Sequence, residues 1–567
     1  MKMTLLLQRM GAGAGTVDRP GKARRRKGLV VAGVVTLAAL PLGVAQAYQF
    51  RSGDWAGSLD TTLSYGVSYR AEEQDGRLIA RANGGSAVNA DKINNDDGDL
   101  NFRKGDLFSE VVKVVSELDL KYQENYGLFV RGRAFYDFEL EDDERRHREI
   151  SGEGLDQAGS GLELLDAFVH GSWTVRERSL NARLGRQVIN WGEGLYYQNG
   201  IGATNPVDLN ALRAPGSELK EAFLPTFMGY ASFALSDNLS VEGYYQPGWA
   251  WEPTKIDPCG TYFSTNDFLG EGCDYVAVGA FDNPSIPGAP SVLFVPRASD
   301  IDADSAAQYG IALRLFVPEL NDTELGLYYL RYSTQLPQVG GTVARKFRGV
   351  PIPSTATYFA EYLERRDLFG ASFNTTIGGD GFFSGQSVFG ELSYRPDAPV
   401  ALSSAAILRE VLFSPSGLPA GARVKGYREK ELYQASVGTL RNMGGALGAD
   451  ASILAGELVA SRLSDLESDL NYGDVTRSTY GATLGYSLTY NNVLDMFTLV
   501  PGISHGRTFN GVAASNTNGL NEEAWSTSVG LDANYQDRLT VGVKYVDFTD
   551  GNSGDRDFLT FNVKYSF

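Results

Sequence analysis

Histidine, cysteine and long apolar segments are all scarce in this chain. Only three of its 567 residues are histidine and two are cysteine, which leaves little capacity for general-base catalysis and too few clustered ligands for a zinc site. Beyond residue 47 no stretch holds about 18 consecutive apolar side chains, so the sequence predicts no membrane-spanning helix there. We therefore expect a protein that is not an enzyme and that has no cofactor and no metal site.

Positive charge is also in short supply. The chain has 51 Lys and Arg against 69 Asp and Glu, a formal net charge of −18. Removal of residues 1–47 takes away eight basic residues and one acidic residue, which leaves a net charge of −25. A polyanionic surface repels nucleic acid, so the sequence excludes the nucleic-acid-binding classes.

Residues 1–47 have the three parts of a secretory signal peptide. A basic region ends at Lys27, the apolar run Gly28–Val44 follows, and Ala45–Ala47 supplies the small residues of a cleavage site. A transmembrane helix is disfavoured because the run is short and contains glycines and Pro41. We expect residues 1–47 to be a cleaved signal peptide and residues 48–567 to form a single domain.

The end of the chain alternates between apolar and polar side chains, as a strand with two different faces does. The apolar positions are Leu559, Phe561, Val563, Tyr565 and Phe567. An apolar face that closes on a terminal phenylalanine resembles the C-terminal signal of bacterial outer-membrane barrels.

The same alternation recurs along the chain. We place strands near 54–70, 108–123, 126–139, 162–175, 178–192, 226–236, 239–251, 304–318, 323–335, 364–376, 385–396, 430–443, 452–464, 477–491, 496–508, 524–536, 539–549 and 558–567. The gaps alternate between short and long, as periplasmic turns and external loops do in bacterial barrels. The sequence therefore predicts an all-β protein, a transmembrane antiparallel β-barrel of about 18 strands, with 16 strands as the alternative and both termini in the periplasm.

The alternation fails within Arg183–Glu193, where a continuous strand would point Arg186 and Asn190 at lipid. Either Gly185 permits a bulge that changes the register, or the strand leaves the membrane at about this point. The two interpretations differ in where the strand ends.

A helical loop is predicted directly after this strand. Thr204 or Asn205 before Pro206 forms a good helix start, Pro215 and the glycine after it end that helix, and a second short helix is predicted over 217–223. We expect the loop to fold into the lumen as a plug or constriction.

Five segments resemble a known family. They are Asn94–Leu107, Gly185–Glu193, Asn199–Gly200, Asn205–Asp208 and Leu212–Glu218. Together they are similar to the hallmark of the proteobacterial outer-membrane barrel family catalogued as domain-of-unknown-function family 1302, and the resemblance extends over essentially all of residues 48–567.

The resemblance implies a location and a class of solute. It implies a protein in the outer membrane of a Gram-negative bacterium, surrounded by lipid and lipopolysaccharide, that moves hydrophobic compounds such as steroids, aromatics or lipid-like molecules. It also implies two partners, a periplasmic lipid-binding protein and a resistance-nodulation-division transporter. It supplies no catalytic mechanism.

The polar and aromatic residues of these segments are the candidate site. They are Arg186, Gln187, Asn190, Trp191, Glu193, Asn205, Asp208, Arg213 and Glu218. One interpretation is a ligand-binding cluster at the lumen constriction, in which Trp191 offers an apolar face. The favoured interpretation is structural, with Arg186 or Arg213 paired with Glu193 or Glu218 to hold the loop inside the lumen.

Two smaller features lie in loops. Cys259 and Cys273 are close together in a segment rich in Gly, Pro and Asp, which predicts a local disulfide in an oxidising compartment. The acidic run Asp96–Asp99, with Asp106 nearby, offers hard oxygen ligands for calcium but lacks EF-hand spacing, so an acidic turn is the favoured interpretation.

Catalysis is disfavoured by context. Gly502–Gly506 matches the pattern G-x-S-x-G, but it lies inside an alternating strand and not at a strand-to-helix turn. Ser504 and His505 are consecutive, so in a strand they point to opposite faces and cannot form a dyad. The favoured function is a loop-gated channel, and the alternative is a docking barrel of an envelope export complex.

Overall fold

The computed structural model describes residues 48–88, 90–197, 199–278, 293–381, 383–514, 519–522, 524–549 and 554–567. The predicted signal peptide lies outside these residues. Within them, eighteen strands form the barrel: β1 (Trp55–Arg70), β2 (Leu107–Tyr122), β3 (Tyr126–Asp137), β4 (Ser160–Val175), β5 (Arg178–Gln187), β6 (Thr226–Ala234), β7 (Leu239–Gln246), β8 (Gln308–Val317), β9 (Thr323–Tyr332), β10 (Arg366–Thr376), β11 (Ser387–Ala401), β12 (Tyr427–Asn442), β13 (Ala451–Leu463), β14 (Ser478–Val493), β15 (Phe497–Asn510), β16 (Trp525–Tyr535), β17 (Leu539–Thr549) and β18 (Phe558–Ser566).

The sheet closes on itself. Each strand pairs antiparallel with its neighbours in the chain, and β1 pairs with β18, where Leu63 lies opposite Tyr565 and Arg70 lies opposite Phe558. A further strand, Tyr48–Ser52, pairs with the first residues of β1. The predicted antiparallel barrel is confirmed, with 18 strands and not 16.

The two faces of the wall differ as the alternation requires. In β13, Leu458 is 55% exposed on the outer surface, whereas the preceding Glu457 is 2% exposed and points inward. The outer surface carries further exposed apolar side chains, among them Val169, Leu184, Ile311, Leu327, Leu392, Val437, Leu484, Val529 and Phe561. In a closed sheet of this kind the apolar belt suits contact with lipid, and the polar side chains face the lumen.

Aromatic rings form a row on the outer surface near the ends of β8 to β12. Tyr309, Tyr329, Phe369, Tyr394 and Tyr433 contact one another in sequence, with ring centroids 6.4, 5.3, 6.3 and 4.8 Å apart. Such rings mark the level at which hydrocarbon meets headgroups in outer-membrane barrels.

Connections at one end are tight turns, and those at the other end are long loops. Arg176 and Glu177 have φ values of 50° and 65°, the left-handed conformation that a two-residue hairpin turn requires. The long connections of the opposite end contain the helices α1 (Asp97–Asn101), α2 (Phe138–Asp142), α3 (Gly152–Ala158), α4 (Leu209–Arg213), α5 (Leu219–Ala222) and α6 (Ser404–Phe413), of which α4 and α5 lie inside the barrel. In the described part of the chain, no helix is long and apolar enough to cross a membrane.

Short elements complete the loops. The strands are Tyr275–Ala277, Phe294–Pro296, Gln338–Thr342, Arg345–Phe347, Val350–Ile352, Thr357–Glu361 and Arg423–Val424, and the 3-10 helices are Arg81–Asn83, Ala90–Asn94, Gly248–Ala250, Pro318–Leu320 and Pro353–Thr355. Gln338–Thr342 pairs with both Thr357–Glu361 and Arg423–Val424, so the loops on either side of β10 and β11 are joined.

The long loops pack together as a cap over the barrel. Phe268 and Val295 of the β7–β8 loop share an apolar cluster with Tyr358 of the β9–β10 loop and Val411 of the β11–β12 loop. Cys259 and Cys273 form the predicted disulfide within this cap, with their Cα atoms 5.6 Å apart.

The acidic run Asp96–Asp99 forms part of the cap's interior. Asp99 pairs with Arg70 at 3.0 Å and with Arg556 at 3.2 Å, and Asp97 pairs with Arg148 at 2.6 Å. The carboxylate of Asp96 accepts hydrogen bonds from the Ala80 N–H (2.8 Å) and the Asn83 amide. The predicted acidic turn is thus a buried ion-pair network around α1 that ties the β1–β2 loop to the β3–β4 and β17–β18 loops.

Candidate functional site

The irregular strand β5 ends early. In its ladder with β4, Arg178 pairs with Val175 and Arg186 pairs with Ala167, and no register shift lies between them. The strand ends at Gln187. The second interpretation of the broken alternation is therefore correct, and the predicted strand 178–192 is too long. Gln187 is fully buried and donates a hydrogen bond to the Met228 carbonyl at 2.8 Å.

Residues 188–225, here called the lumen loop, run across the inside of the barrel. The loop leaves the wall at β5, and the Tyr197 hydroxyl accepts a hydrogen bond at 3.0 Å from Thr483 of β14. In a ring of eighteen strands β14 lies diametrically opposite β5. The loop therefore spans the full width of the lumen, as the sequence predicted.

Three wall side chains hold the far end of the lumen loop by its backbone. Glu457 of β13 accepts hydrogen bonds from the backbone N–H groups of residues 195, 196 and 197 at 3.0, 2.6 and 3.2 Å. Glu391 of β11 accepts from those of residues 193 and 201 at 2.8 and 3.1 Å. Arg395 donates to the carbonyls of Asn199 and Gly200. We call Glu391, Arg395 and Glu457 the backbone clamp.

Trp191 packs into the wall beneath the loop. It is 2% exposed, its Nε1 donates to Glu242 at 2.8 Å, and its ring lies 5.3 Å from Tyr244 and 5.8 Å from Tyr328. The rest of this buried cluster is Ile189, Ile201, Ala203, Met228, Ala312, Leu330, Tyr332 and Leu368. Trp191 thus anchors the loop to the inner wall.

The near end of the loop is held by buried ion pairs. Asp208 caps α4 by accepting from the Ala211 N–H at 2.9 Å and also pairs with Arg133 of β3 at 3.0 Å. Glu221 of α5 pairs with Lys113 of β2 at 2.7 Å, with both side chains almost fully buried. These contacts fix the two short helices against β2 and β3.

The predicted start of the first helix is wrong. Asn205 does not cap a helix, because its side chain exchanges hydrogen bonds with the backbone of Ile189, including one of 2.6 Å to the carbonyl. The helix begins three residues later than Pro206, at Leu209. The break near Pro215 is confirmed, and the second helix is shorter than predicted.

The predicted pairing of Arg186 or Arg213 with Glu193 or Glu218 is wrong, because both arginines pair with other carboxylates. Arg186 pairs with Glu252 at 2.7 Å, and Arg213 pairs with Asp257. Both carboxylates belong to the β7–β8 loop, which the sequence did not place next to the lumen loop. Glu193 accepts from Asn374 at 3.0 Å, and Glu218 pairs with Lys220 at 3.2 Å and Lys564 at 3.5 Å.

The candidate residues therefore do not form one cluster. Arg186 and Arg213 contact the cap loop, Trp191 and Gln187 are buried in the wall, Glu193 and Glu218 face different strands, and Asn190 is exposed. Asn205 is the one candidate that lines the cavity described next.

A cavity of about 300 Å³ lies between the lumen loop and the wall of β9 to β13. Its lining is mostly apolar and includes Leu209, Leu212, Leu336, Val400, Leu432 and Leu463, with the rings of Tyr196 and Tyr332. A few polar groups, among them Asn205, Gln335 and Arg395, interrupt this surface. A concave apolar site with a small number of polar groups is typical of a pocket for a small organic molecule.

The sequence offered little sign of the cavity or the clamp. Glu391 and Glu457 each stand at an inward position of a strand whose neighbouring inward positions are small or uncharged. A lone inward carboxylate of this kind is the one local signal for the clamp. The lining residues come from four loops and four strands, so no single motif marks them.

Comparison with known proteins identifies a family. A model of a family of proteins of unknown function, DUF1302, matches residues 28–567. No curated protein matches this chain.

Solved structures with similar folds are distant. Acinetobacter baumannii OccAB3 is 10% identical with a TM-score of 0.41, covering 90% of this chain and 99% of that one. Pseudomonas aeruginosa OccK2 (OpdF), solved in complex with glucuronate, is 11% identical with a TM-score of 0.39, covering 90% and 98%. Salmonella typhi OmpF, in complex with daunomycin, is 8% identical with a TM-score of 0.36, covering 92% and 100%.

Proposed function

The chain belongs to DUF1302, a family of proteins of unknown function, and we propose that it is a loop-gated outer-membrane channel for small hydrophobic molecules. The proposed solutes are steroids, aromatics and lipid-like compounds. The proposal places the protein in the outer membrane of a Gram-negative bacterium.

The outer surface supports this location. Apolar side chains such as Leu184 and Leu458 stay exposed around a sheet that has no open edge, and an aromatic row borders them. In water such a surface is unfavourable, whereas in lipid it is the expected one.

The observation that carries the proposal is the apolar cavity enclosed between the lumen loop and the wall. A wide barrel with a water-filled lumen serves polar solutes. Here the lumen loop crosses that space, and Leu212, Leu432 and Leu463 line the cavity beside it. Such a lining favours an apolar solute, because each buried apolar contact gains about 25 cal/mol per Å² removed from water.

A transport role is favoured over catalysis by the surroundings of the weak serine motif. Ser504 lies in the middle of β15 and bonds to Ser528 of β16, whereas His505 bonds to Thr527 on the opposite face. A nucleophile and its base must lie within hydrogen-bond reach of each other. The channel proposal therefore assigns no catalytic group.

Deletion of residues 195–222 tests the gate. The deletion removes α4, α5 and most of the segment that the backbone clamp holds. We therefore expect a large rise in the single-channel conductance of the purified protein. A matched control deletes the exposed cap hairpin Arg345–Ile352, which we expect to leave conductance near that of the intact chain. Heat-modifiable mobility on gels checks that both barrels fold. Equal conductance of all three proteins would contradict a gating role.

A docking barrel in an envelope export complex is the second candidate. It would serve a periplasmic lipid-binding protein and a resistance-nodulation-division transporter. Uptake of a labelled steroid by cells that lack the protein separates the two, because a channel predicts reduced uptake and a docking barrel predicts normal uptake. The short turns, such as the one at Arg176 and Glu177, leave little periplasmic surface for docking.

A further inference from the structure

The wall has a short seam between β10 and β11. Their ladder begins where Thr376 pairs with Ser387, and it ends where Phe369 pairs with Tyr394. The first three residues of β10, 366–368, continue to pair with β9, whereas β11 continues along β12. The two strands are thus each held on their far side only, over a stretch that spans about 10 Å.

A bulge in β11 accounts for the missing pairs. The register between β11 and β12 shifts between Arg395 and Ala398, so Pro396 and Asp397 together lie opposite one residue of β12, and β11 has one extra residue at this point. Proline has no N–H to donate to a ladder. Pro396 therefore has no N–H to donate to either neighbouring strand.

The seam begins at the level of the membrane interface. Its last ladder pair, Phe369 and Tyr394, belongs to the aromatic row on the outer surface, with ring centroids 6.3 Å apart. Beyond that row the outer side chains become polar, as the Tyr329 hydroxyl bond to Asp367 at 2.9 Å illustrates. The seam thus opens where acyl chains meet headgroups.

The apolar cavity lies directly behind the seam. Tyr332 at the end of β9, and Arg395, Ala398 and Val400 of β11, line the cavity and also border the unpaired stretch. One layer of wall residues, which includes the fully buried Leu368, separates the cavity from the outside.

Side-chain contacts close the seam in place of the ladder, because the Asp397 carboxylate accepts a hydrogen bond from the Asp367 backbone N–H and Arg366 bridges the strands. Arg366 Nη1 donates to the Asp397 carbonyl at 3.3 Å, to its carboxylate at 3.2 Å, and to Glu429 of β12 at 2.9 Å. Side-chain ion pairs near a surface are weaker and more readily broken than a continuous backbone ladder. Arg366 has the position of a latch across β10, β11 and β12.

We propose that this seam is a lateral portal through which apolar molecules pass between the lumen cavity and the outer leaflet of the membrane. The proposal rests on the proposed channel function and adds its route. An apolar molecule gains nothing by leaving the cavity into water, whereas the lipid beside the aromatic row is a favourable destination. The portal therefore selects for molecules that partition into lipid.

A disulfide staple across the seam tests the route. Asp367 and Pro396 continue the register beyond Phe369 and Tyr394, so the pair D367C and P396C is expected to lock the seam under oxidation. The control pair, A371C and L392C, staples the same two strands where they are in register. With tritiated progesterone as the probe, we expect the seam staple to lose most cellular uptake, to regain it on reduction, and to keep normal ion conductance. Equal uptake by the two oxidised variants would overturn the portal and leave the channel proposal standing.

A second measurement examines the portal without transport. Val400 is fully buried and lines the cavity, so in V400C the thiol reports access from lipid to N-pyrenylmaleimide dissolved in liposomes. We expect R366A to speed this labelling several-fold, and R345A, an exposed change in the cap hairpin, to have no effect. An unchanged rate in R366A would overturn the portal. Absence of progesterone uptake by every barrel, including the unaltered one, would count against the channel proposal alone.

Discussion

Two wall carboxylates hold the far end of the lumen loop through its backbone N–H groups and not through basic side chains. Three backbone N–H groups converge on one oxygen of Glu457, and two more reach Glu391. Hydrogen bonds to an ionised acceptor contribute about 1.5–3 kcal/mol each, and burial strengthens them further. Because these hydrogen bonds are made to backbone N–H groups, many side chains are compatible with the clamped positions as long as the loop keeps its conformation.

Loss of the Glu457 charge is expected to loosen the gate. In Glu457→Gln the amide keeps an acceptor but removes the charge, which weakens the hold on residues 195–197 by about 1–3 kcal/mol. We expect more frequent and longer open states in single-channel recordings. Asp119→Asn is the control, because Asp119 is a wall carboxylate that pairs with Lys121 on its own strand. Openings no more frequent than in the control would show that the clamp does not gate.

The buried carboxylates of the cap predict that the cap becomes more stable as the pH falls, which is the opposite of ordinary acid unfolding. Burial, together with the neighbouring charge of Asp97, raises the pKa of Asp267 to about 7, and burial raises that of Asp99 to about 6. An unfolded aspartate has a pKa of about 3.9. Between about pH 4 and 7 the folded cap therefore binds protons more tightly than the unfolded one, so its stability rises as the pH falls through this window.

Hydrogen exchange of the cap loops measures this effect. After correction for intrinsic rates, we expect stronger protection at pH 5 than at pH 7.5, and a smaller difference in Asp267→Asn. The barrel strands serve as an internal reference. Weaker protection of the cap at pH 5 would contradict the assignment of buried, partly protonated carboxylates.

At the scale of elements, the local sequence pattern predicted the strands, because the apolar face of each strand depends on its own residues. All eighteen strands follow from period-2 alternation, because an apolar outer face is required of each strand separately. The end of β5 did not follow, because Gln187 is its last ladder residue and its side chain bonds the Met228 carbonyl of β6, a contact distant in the chain.

The lumen loop illustrates the same limit. Its existence followed from Pro206 and Pro215, which interrupt the strand pattern. Its anchors did not, because Glu391 and Glu457 lie far along the chain and bind backbone groups that every residue carries. The start of α4 was misplaced for a related reason, since the side chain of Asn205 is taken by Ile189. Capping propensity therefore gave way to a tertiary contact.

At the scale of the whole molecule, loop length predicts the orientation of the proposed outer-membrane barrel. The disulfide, the joined loops and the helices of the cap lie at one end, and the turns of the other end are short. Outer-membrane barrels keep short turns in the periplasm and long loops outside. In the proposed outer-membrane location, we therefore expect the cap at the cell exterior and the strand Tyr48–Ser52 in the periplasm.

Cysteine labelling on intact cells tests this orientation. Phe347 is 65% exposed in the cap hairpin, and Leu494 is 78% exposed in the turn between β14 and β15. A membrane-impermeant maleimide is expected to label F347C on intact cells and L494C only after the outer membrane is permeabilised. Both positions are loop tips without a packing role, so neither change should affect barrel assembly. Labelling of L494C on intact cells with F347C protected would reverse the orientation, and it would place the seam and its aromatic row beside the inner leaflet.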